Sequence, residues 1–231
     1  RRETPSSLLV TNHRALQIVR PALLVASITS LFIGLTHLPI AEATAIGFTA
    51  PLFITALSAP ILKEKVGLHR WAAVVIGLVG VLIIVRPGGG LWHWASLMPL
   101  IGALFFAGFQ LVTRVMASTE RTHVTLFHTG VGGLIWTSLM VPFFWTPPTE
   151  LHWVVFIGTG VMGALAHLCM ISAFNRAEAS LLAPHNYTKI IWVGVLGYLV
   201  FGDVPNLNMW TGTLVIVLAG VYVLYRERRG A

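Results

Sequence analysis

Lys189 is the residue with the most chemistry to explain. It stands about ten residues into an apolar stretch running from 179 to 201, and a charged side chain at the centre of a bilayer costs at least about 2.5 kcal/mol on insertion scales. Around it, Pro184-His185-Asn186-Tyr187-Thr188-Lys189 concentrates polar-capable side chains in an otherwise apolar run. His185 and Lys189 are four apart and share a helix face, with Asn186 beside them. A lysine facing a central cavity can pair with an anionic group of a ligand or with a carboxylate. The other readings are a stem that snorkels to the cytoplasmic interface, or polarity with a purely structural role. Pro184 has no amide hydrogen, so it interrupts the helix ladder and can open backbone carbonyls to a cavity. If it is only a packed kink, the polar groups around it need partners on adjacent helices.

An earlier segment offers a counterpart. Pro51 is flanked by Thr49, Thr55 and Ser58, a proline-kinked helix with small hydroxyls that can line the same cavity as Pro184; hydroxyls bonded within their own helix are the alternative. Phe105, Phe106, Phe109 and Gln110 supply an aromatic wall with one amide, Phe106 and Gln110 being a turn apart on one face. The phenylalanines also suit lipid contact or plain packing. A buried glutamine, by contrast, demands a hydrogen-bond partner. Trp192, His128 and His167 are candidates of the same type. The predicted substrate-binding set is therefore Lys189, Asn186, His185, Tyr187, Gln110, Thr49, Phe106 and Trp192, with Pro51 and Pro184 as kinks lining the cavity. No catalytic residue, metal site or cofactor is expected. The single Cys169 excludes an internal disulfide and a cysteine cluster, and Gly88-Gly89-Gly90 lacks the lysine and hydroxyl of a nucleotide loop.

The elements that must carry these residues are membrane helices. Charged residues make up 10% of the chain, against roughly a quarter in soluble domains, and the mean hydropathy is +0.81. Stretches long enough to cross about 30 Å of hydrocarbon lie at about 17–38, 41–62, 69–86, 96–116, 123–145, 152–174, 179–201 and 208–225. This predicts an all-α polytopic membrane protein with eight helices and tight turns. Trp92, Trp94, Trp145 and Trp153 fall near span ends, as in an interfacial belt. The formal charge of +7 could suggest nucleic acid, but the basic residues are placed in short turns between apolar spans, where they set topology. With this parse, Arg1, Arg2, Arg14, Arg20, Lys63, Lys65, Arg70, Arg114, Arg121, Arg176, Arg226, Arg228 and Arg229 share one side, and Arg86 alone takes the other. The positive-inside rule then puts both ends of the chain in the cytoplasm.

The chain also repeats itself. Ala41-Glu42-Ala43-Thr44, Pro51, Glu64, Trp71 and Gly80 return as Ala177-Glu178-Ala179-Ser180, Pro184, Asp203, Trp210 and Gly220, about 133 to 140 residues later. The first copy occupies helices two and three, the second helices seven and eight. A shift of five helices is odd, so the copies cross the membrane in opposite senses, as an inverted repeat. The expected division is a first repeat at 1–90, lacking its first two helices, and a complete five-helix second repeat at 91–231. The start at Arg1-Arg2-Glu3-Thr4-Pro5, without Met or a cleavable signal, is read as internal, so that eight of an expected ten spans are present.

The run from Leu38 to Phe53, then Lys63-Glu64-Lys65, then Gly77 to Pro87, resembles the repeat unit of the EamA family of the drug/metabolite transporter superfamily. The segment from Arg176 to Arg226-Glu227-Arg228-Arg229 resembles the end of its second repeat. The resemblance implies ten helices in two inverted five-helix repeats, in the bacterial inner membrane. It also implies alternating-access movement of metabolites or amphipathic compounds, often outward.

The function expected is a secondary transporter exporting a small metabolite or amphipathic compound, working as a monomer or homodimer in the lipid bilayer. Proton coupling, with His185 or an acid as carrier, is compatible with the sequence. An integral-membrane enzyme acting on lipids would need paired acids or histidines near an interface, and none stand out. A structural protein would leave the polar run at 184–189 without a purpose.

Overall fold

The computed structural model describes residues 10–62, 67–85, 94–117, 119–176, 192, 195–202 and 206–230. Among the described residues every regular element is helical. Helix α1 spans Arg14–Leu35, α2 Ile40–Gly47, α3 Ala50–Leu62, α4 Leu68–Val85, α5 Leu97–Ala117, α6 Thr122–Phe144, α7 Glu150–Phe174 and α8 Leu207–Gly230. A 3-10 turn at Trp94–Ser96 leads into α5, and a π-helical turn at Gly197–Phe201 precedes α8.

Local chemistry explains several of these boundaries. The π turn ends at Gly202, whose φ of 68° is the left-handed conformation that glycine adopts without penalty. Asn206 opens α8 by accepting the Met209 N–H at 2.8 Å on its side-chain oxygen, filling one of the donors a helix start leaves over. At the start of α7 the Thr149 N–H donates to His152 Nδ1 at 3.2 Å.

Among the described residues, four helical segments are long and apolar enough to cross a membrane: Arg14–Leu35, Trp94–Ala117, Thr122–Phe144 and Glu150–Phe174. They match the expected spans at 17–38, 96–116, 123–145 and 152–174. The spans at 69–86 and 208–225 are α4 and α8, with shorter apolar cores at Trp71–Val85 and Leu207–Tyr222. The span at 41–62 is two helices, α2 and α3, rather than one kinked helix. Most of 179–201 lies outside the described residues.

The chain forms two compact units, each assembled from separate stretches. One gathers the described residues up to Val25 with those from Val112 to Arg176: the beginning of α1, the end of α5, and all of α6 and α7. The other gathers Ala26–Leu111 with the described residues from Trp192 onward, and so contains α2, α3, α4 and α8.

In the second unit an apolar core joins α2, α3, α4 and α8 through residues such as Ile46, Leu52, Val81, Ile84 and Ile216. Within it α4 and α8 meet backbone to backbone. A Cβ on Gly80 would lie 2.8 Å from the Gly212 carbonyl oxygen and 2.7 Å from Ile216 Cγ1; one on Gly212 would lie 2.5 Å from the Gly80 carbonyl oxygen. Hydrocarbon gives helices no hydrophobic reason to associate, so membrane helices gain contact by bringing backbones close at small residues. In the first unit, α7 leaves nearly all of its apolar surface uncovered. A surface of that kind suits acyl chains, and a helix satisfies its own backbone there.

Candidate substrate site

The interruption between α2 and α3 is the first feature of the candidate site. Pro51 is the second residue of α3, a first-turn position where its missing N–H costs nothing to that helix. It has no hydrogen to give the Gly47 carbonyl four residues back, so the ladder of α2 cannot run through it. The chain closes the gap with tight bonds: Phe48 N–H to both Thr44 O (3.1 Å) and Ala45 O (3.2 Å), and Thr49 N–H to Ile46 O at 3.1 Å. The bend expected at Pro51 is thus a complete break, with Pro51 buried beside it.

The hydroxyls around the break serve their own helices. Thr49 Oγ1, fully buried, donates to Ile46 O at 2.8 Å. Thr55 Oγ1 donates to Pro51 O at 3.0 Å and Ser58 Oγ to Thr55 O at 2.9 Å. Each retains acceptor capacity for a ligand donor.

On α5, Phe106 and Phe109 stack with centroids 6.0 Å apart and planes at 27°. Phe109 is buried and Phe106 half-buried, so this pair is packing rather than lipid contact. Gln110, one turn beyond Phe106, is 3% exposed and its Nε2 finds no hydrogen-bond partner. A buried amide left this way costs about 1–3 kcal/mol. Trp192 is 66% exposed. His128 is held within its own helix, Nδ1 donating to Val124 O at 2.9 Å. His185, Asn186, Tyr187, Lys189 and Pro184 lie outside the described residues.

The structure adds polar groups that the sequence reading passed over. Arg20, counted above among topology-setting charges in turns, is inside α1 and fully buried. Six residues into the helix, it stands about 9 Å along its axis. Its Nε donates to Thr113 Oγ1 at 2.7 Å, and Nη1 to Thr125 O at 3.3 Å and to Thr129 Oγ1. Those bonds replace the water that a turn would have provided, which is why the guanidinium does not need a surface position. Gln17, one turn earlier, is 3% exposed with neither amide atom partnered. The signal was present in the pattern of α1. Its buried positions are Gln17, Arg20, Pro21, Ser27, Ser30 and Gly34, while Ile18, Val19, Ile28, Phe32 and Ile33 face out. The polar and small stripe of a membrane helix is its inner face.

Further contacts frame each unit at its edges. In the first, Glu120 Oε1 accepts from Thr11 Oγ1 at 2.7 Å and from the Asn12 N–H at 2.5 Å, tying the segment before α1 to the α5–α6 turn. Arg114 Nη1 donates to Phe174 O at 3.0 Å, satisfying a carbonyl at the end of α7. In the second, Glu42, buried in the first turn of α2, accepts from Asn206 Nδ2 at 3.4 Å.

Apolar helices with a broken span and buried polar groups are the setting in which membrane transporters bind their cargo. The EamA-like transporter family matches residues 11–86 and 93–226. This chain belongs to that family. A riboflavin transporter of Vibrio cholerae serotype O1 is 34% identical across 83% of this chain and 64% of the relative. An S-adenosylmethionine uptake transporter of Rickettsia bellii is 25% identical across 96% of this chain and 75% of the relative. The chain thus spans just under two thirds of the length of the Vibrio protein. A solved crystal structure superposes with a TM-score of 0.70 at 18% identity, covering 96% of this chain and 80% of that one; the likeness shows a shared fold.

Proposed function

We propose that this EamA-like chain serves secondary transport in a bacterial inner membrane, moving a small polar metabolite by alternating access, with both ends of the chain on the cytoplasmic side. The observation that carries the reading is the broken span at Phe48–Pro51. In hydrocarbon, irregular backbone is tolerated only where protein or a water-filled cavity surrounds it, and transporters use such breaks near the bilayer midplane to hold substrate. The inverted-repeat division, 1–90 and 91–231, assigns Pro184 and the run His185 to Lys189 to the corresponding place in the second copy.

In this reading Lys189 receives an anionic or strongly polar group, Asn186, His185, Tyr187, Gln110 and Thr49 supply hydrogen bonds, and Phe106 and Trp192 offer flat surfaces for a ring. A metabolite that joins a heterocycle to a polar chain fits that set, and the names of the Vibrio and Rickettsia relatives support it. His185 is the proposed proton carrier if flux follows a proton gradient. The efflux that the family resemblance implies stands beside a relative named for uptake, and counter-flow measured in both directions decides between them.

Reconstituted vesicles loaded with riboflavin or S-adenosylmethionine give the direct test. Lys189→Met should abolish flux while the protein still folds, and unchanged flux removes Lys189 from the site. The same vesicles with a pH gradient imposed should show His185→Gln uncoupling flux from the gradient.

A further inference from the structure

Thr213 on α8 departs from the pattern of the other helical threonines. Thr55, Thr125, Thr129, Thr137 and Thr159 each donate to the carbonyl four residues back in their own helix, the usual resting bond of a helical hydroxyl. Thr213 Oγ1 makes no such bond to Met209 O. It is 3% exposed and meets no hydrogen-bond partner among the described residues. Buried polar groups in proteins are paired with protein, water or a ligand, so a hydroxyl left unmet marks a place where something else binds.

Helix α4 gives the height at which Thr213 stands. A Cβ on Gly80 would touch both Gly212 O and Ile216 Cγ1, and Thr213 falls between those two residues on α8. Three residues earlier on α4, a Cβ on Gly77 would overlap Leu52. The short link from Leu62 to Leu68 makes α3 antiparallel to α4, so Thr49, three residues before Leu52, reaches the level of Gly80 as well. The beginnings of α2 and α8 agree with this register. Asn206 Nδ2 donates to Glu42 Oε1 at 3.4 Å, and Thr213 and Thr49 each follow seven residues later. Met209 and Ile216, about one turn to either side of Thr213, share an apolar core with Phe48, the residue before Thr49. The two hydroxyls therefore stand at one height around one core.

We propose that Thr213 is a cargo-binding residue, which with Thr49 recognises a neutral polar group presenting a donor and an acceptor side by side, as two neighbouring hydroxyls do. The assignment rests on the reading that cargo binds beside the break at Phe48–Pro51. Thr49 has given its hydrogen to Ile46 O and can only accept, whereas Thr213 Oγ1 has its hydrogen and both lone pairs open. One hydroxyl of the cargo donates to Thr49 while its neighbour takes the hydrogen of Thr213. Neither threonine carries charge, so this end of the site discriminates by hydrogen bonds alone. A cargo without the hydroxyls leaves both groups unmet in a buried place and is rejected.

The first test is thermal unfolding of the protein in nanodiscs, with ribitol, a bare chain of hydroxyls, as the probe and betaine of equal osmolality as the control. At millimolar concentration ribitol should raise the midpoint of the native protein and of Thr213→Ser in a saturable way. Thr213→Val, which keeps the shape and deletes the hydroxyl, should weaken that response at least tenfold. Without ligand, Thr213→Val should melt no lower than the native protein, because no bond is lost. A midpoint several degrees lower would put the hydroxyl in a bond inside the core and overturn the proposal. An equal response in Thr213→Val overturns it too, and so does the lack of a saturable rise in the native protein.

The second test separates Thr213 from the break itself. Thr213→Cys and Thr49→Cys, each combined with Cys169→Ser, are treated in vesicles with methanethiosulfonate ethylammonium, a small hydrophilic thiol reagent. Both should react at least tenfold faster than Ala219→Cys, which is buried in the apolar core of the same helix. Reaction of the Thr49 variant alone removes Thr213 and leaves the break as the cargo site. Reaction of the Thr213 variant alone overturns the pairing with Thr49. Reaction of neither removes the break as a cargo site, and the proposal with it.

Discussion

The meeting of α4 with α8 and the cluster around Arg20 hold helices together by opposite means. At Gly80 and Gly212 two backbones approach so closely that neither position has room for a methyl group. Around Arg20, one charged side chain bonds to hydroxyls and a carbonyl from α5 and α6. Both answer the same physical problem, that apolar side chains gain nothing from leaving lipid for one another. The glycine contact works by shape and has a single good geometry. The polar cluster works by hydrogen bonds, which water or a ligand can take over one at a time. A transporter needs parts of both kinds: packing that stays fixed, and contacts that can be exchanged as it moves.

Breaking the glycine contact should produce the largest effect. Gly212→Leu forces a side chain against the Gly80 carbonyl and Ile84, and Gly80→Leu forces one against Ile216 and the Gly212 carbonyl. Each should destabilise the protein by about 3 kcal/mol, the upper end of ordinary overpacking, read as a lower midpoint of denaturant unfolding in micelles. Gly158→Leu on α7, where nothing lies within 4 Å of the added atom, should change stability by less than about 0.5 kcal/mol. Equal effects at Gly158 and Gly212 would dissolve the contrast between a packed contact and a lipid-facing surface.

The polar unit should respond more locally. Glu120→Ala removes the acceptor for Thr11 and Asn12, and bonds to a charged group are worth about 1.5–3 kcal/mol. Because these residues precede α1, the loss should free that segment without unfolding the unit. Amide exchange at Asn12 and His13 should rise by roughly tenfold or more while α6 stays protected. A global loss of protection would mean that the polar cluster is as rigid as the glycine contact. Asn206→Ala comes next. It removes a helix cap and the weak contact to Glu42, and should cost about 1 kcal/mol.

The sequence and the structure agree where the physics is local and diverge where it depends on neighbours. The apolar runs located α1, α4, α5, α6, α7 and α8 to within a few residues, because length and hydropathy alone decide what can cross hydrocarbon. The break between α2 and α3 was legible as Pro51 but not as a break, since a proline can kink a helix or end it according to what packs beside it. Arg20 was misplaced because its charge, close to the start of a span, reads like the charges of a turn. Its burial among threonines supplied by α5 and α6 reveals that it is inside. Gln110 was legible as a buried amide in want of a partner, and it still wants one at Nε2.

Thr49 gives the finest test of the same contrast, because it lies in the packed unit and yet belongs to the proposed cargo site. Its hydroxyl donates to Ile46 O within the break, a bond that adds little to helix stability because it competes with the backbone ladder. Thr49→Val keeps the branched shape in a fully buried position and deletes only the oxygen. Stability should therefore move by less than about 0.5 kcal/mol. If the hydroxyl also accepts a bond from cargo, removing it should raise the KM for transport several-fold, since an unmatched ligand donor is costly in a buried site. A large loss of stability with unchanged KM would assign Thr49 to packing alone and move the cargo site away from the break. Little change in stability with a raised KM would place the exchangeable chemistry beside the fixed helices that position it.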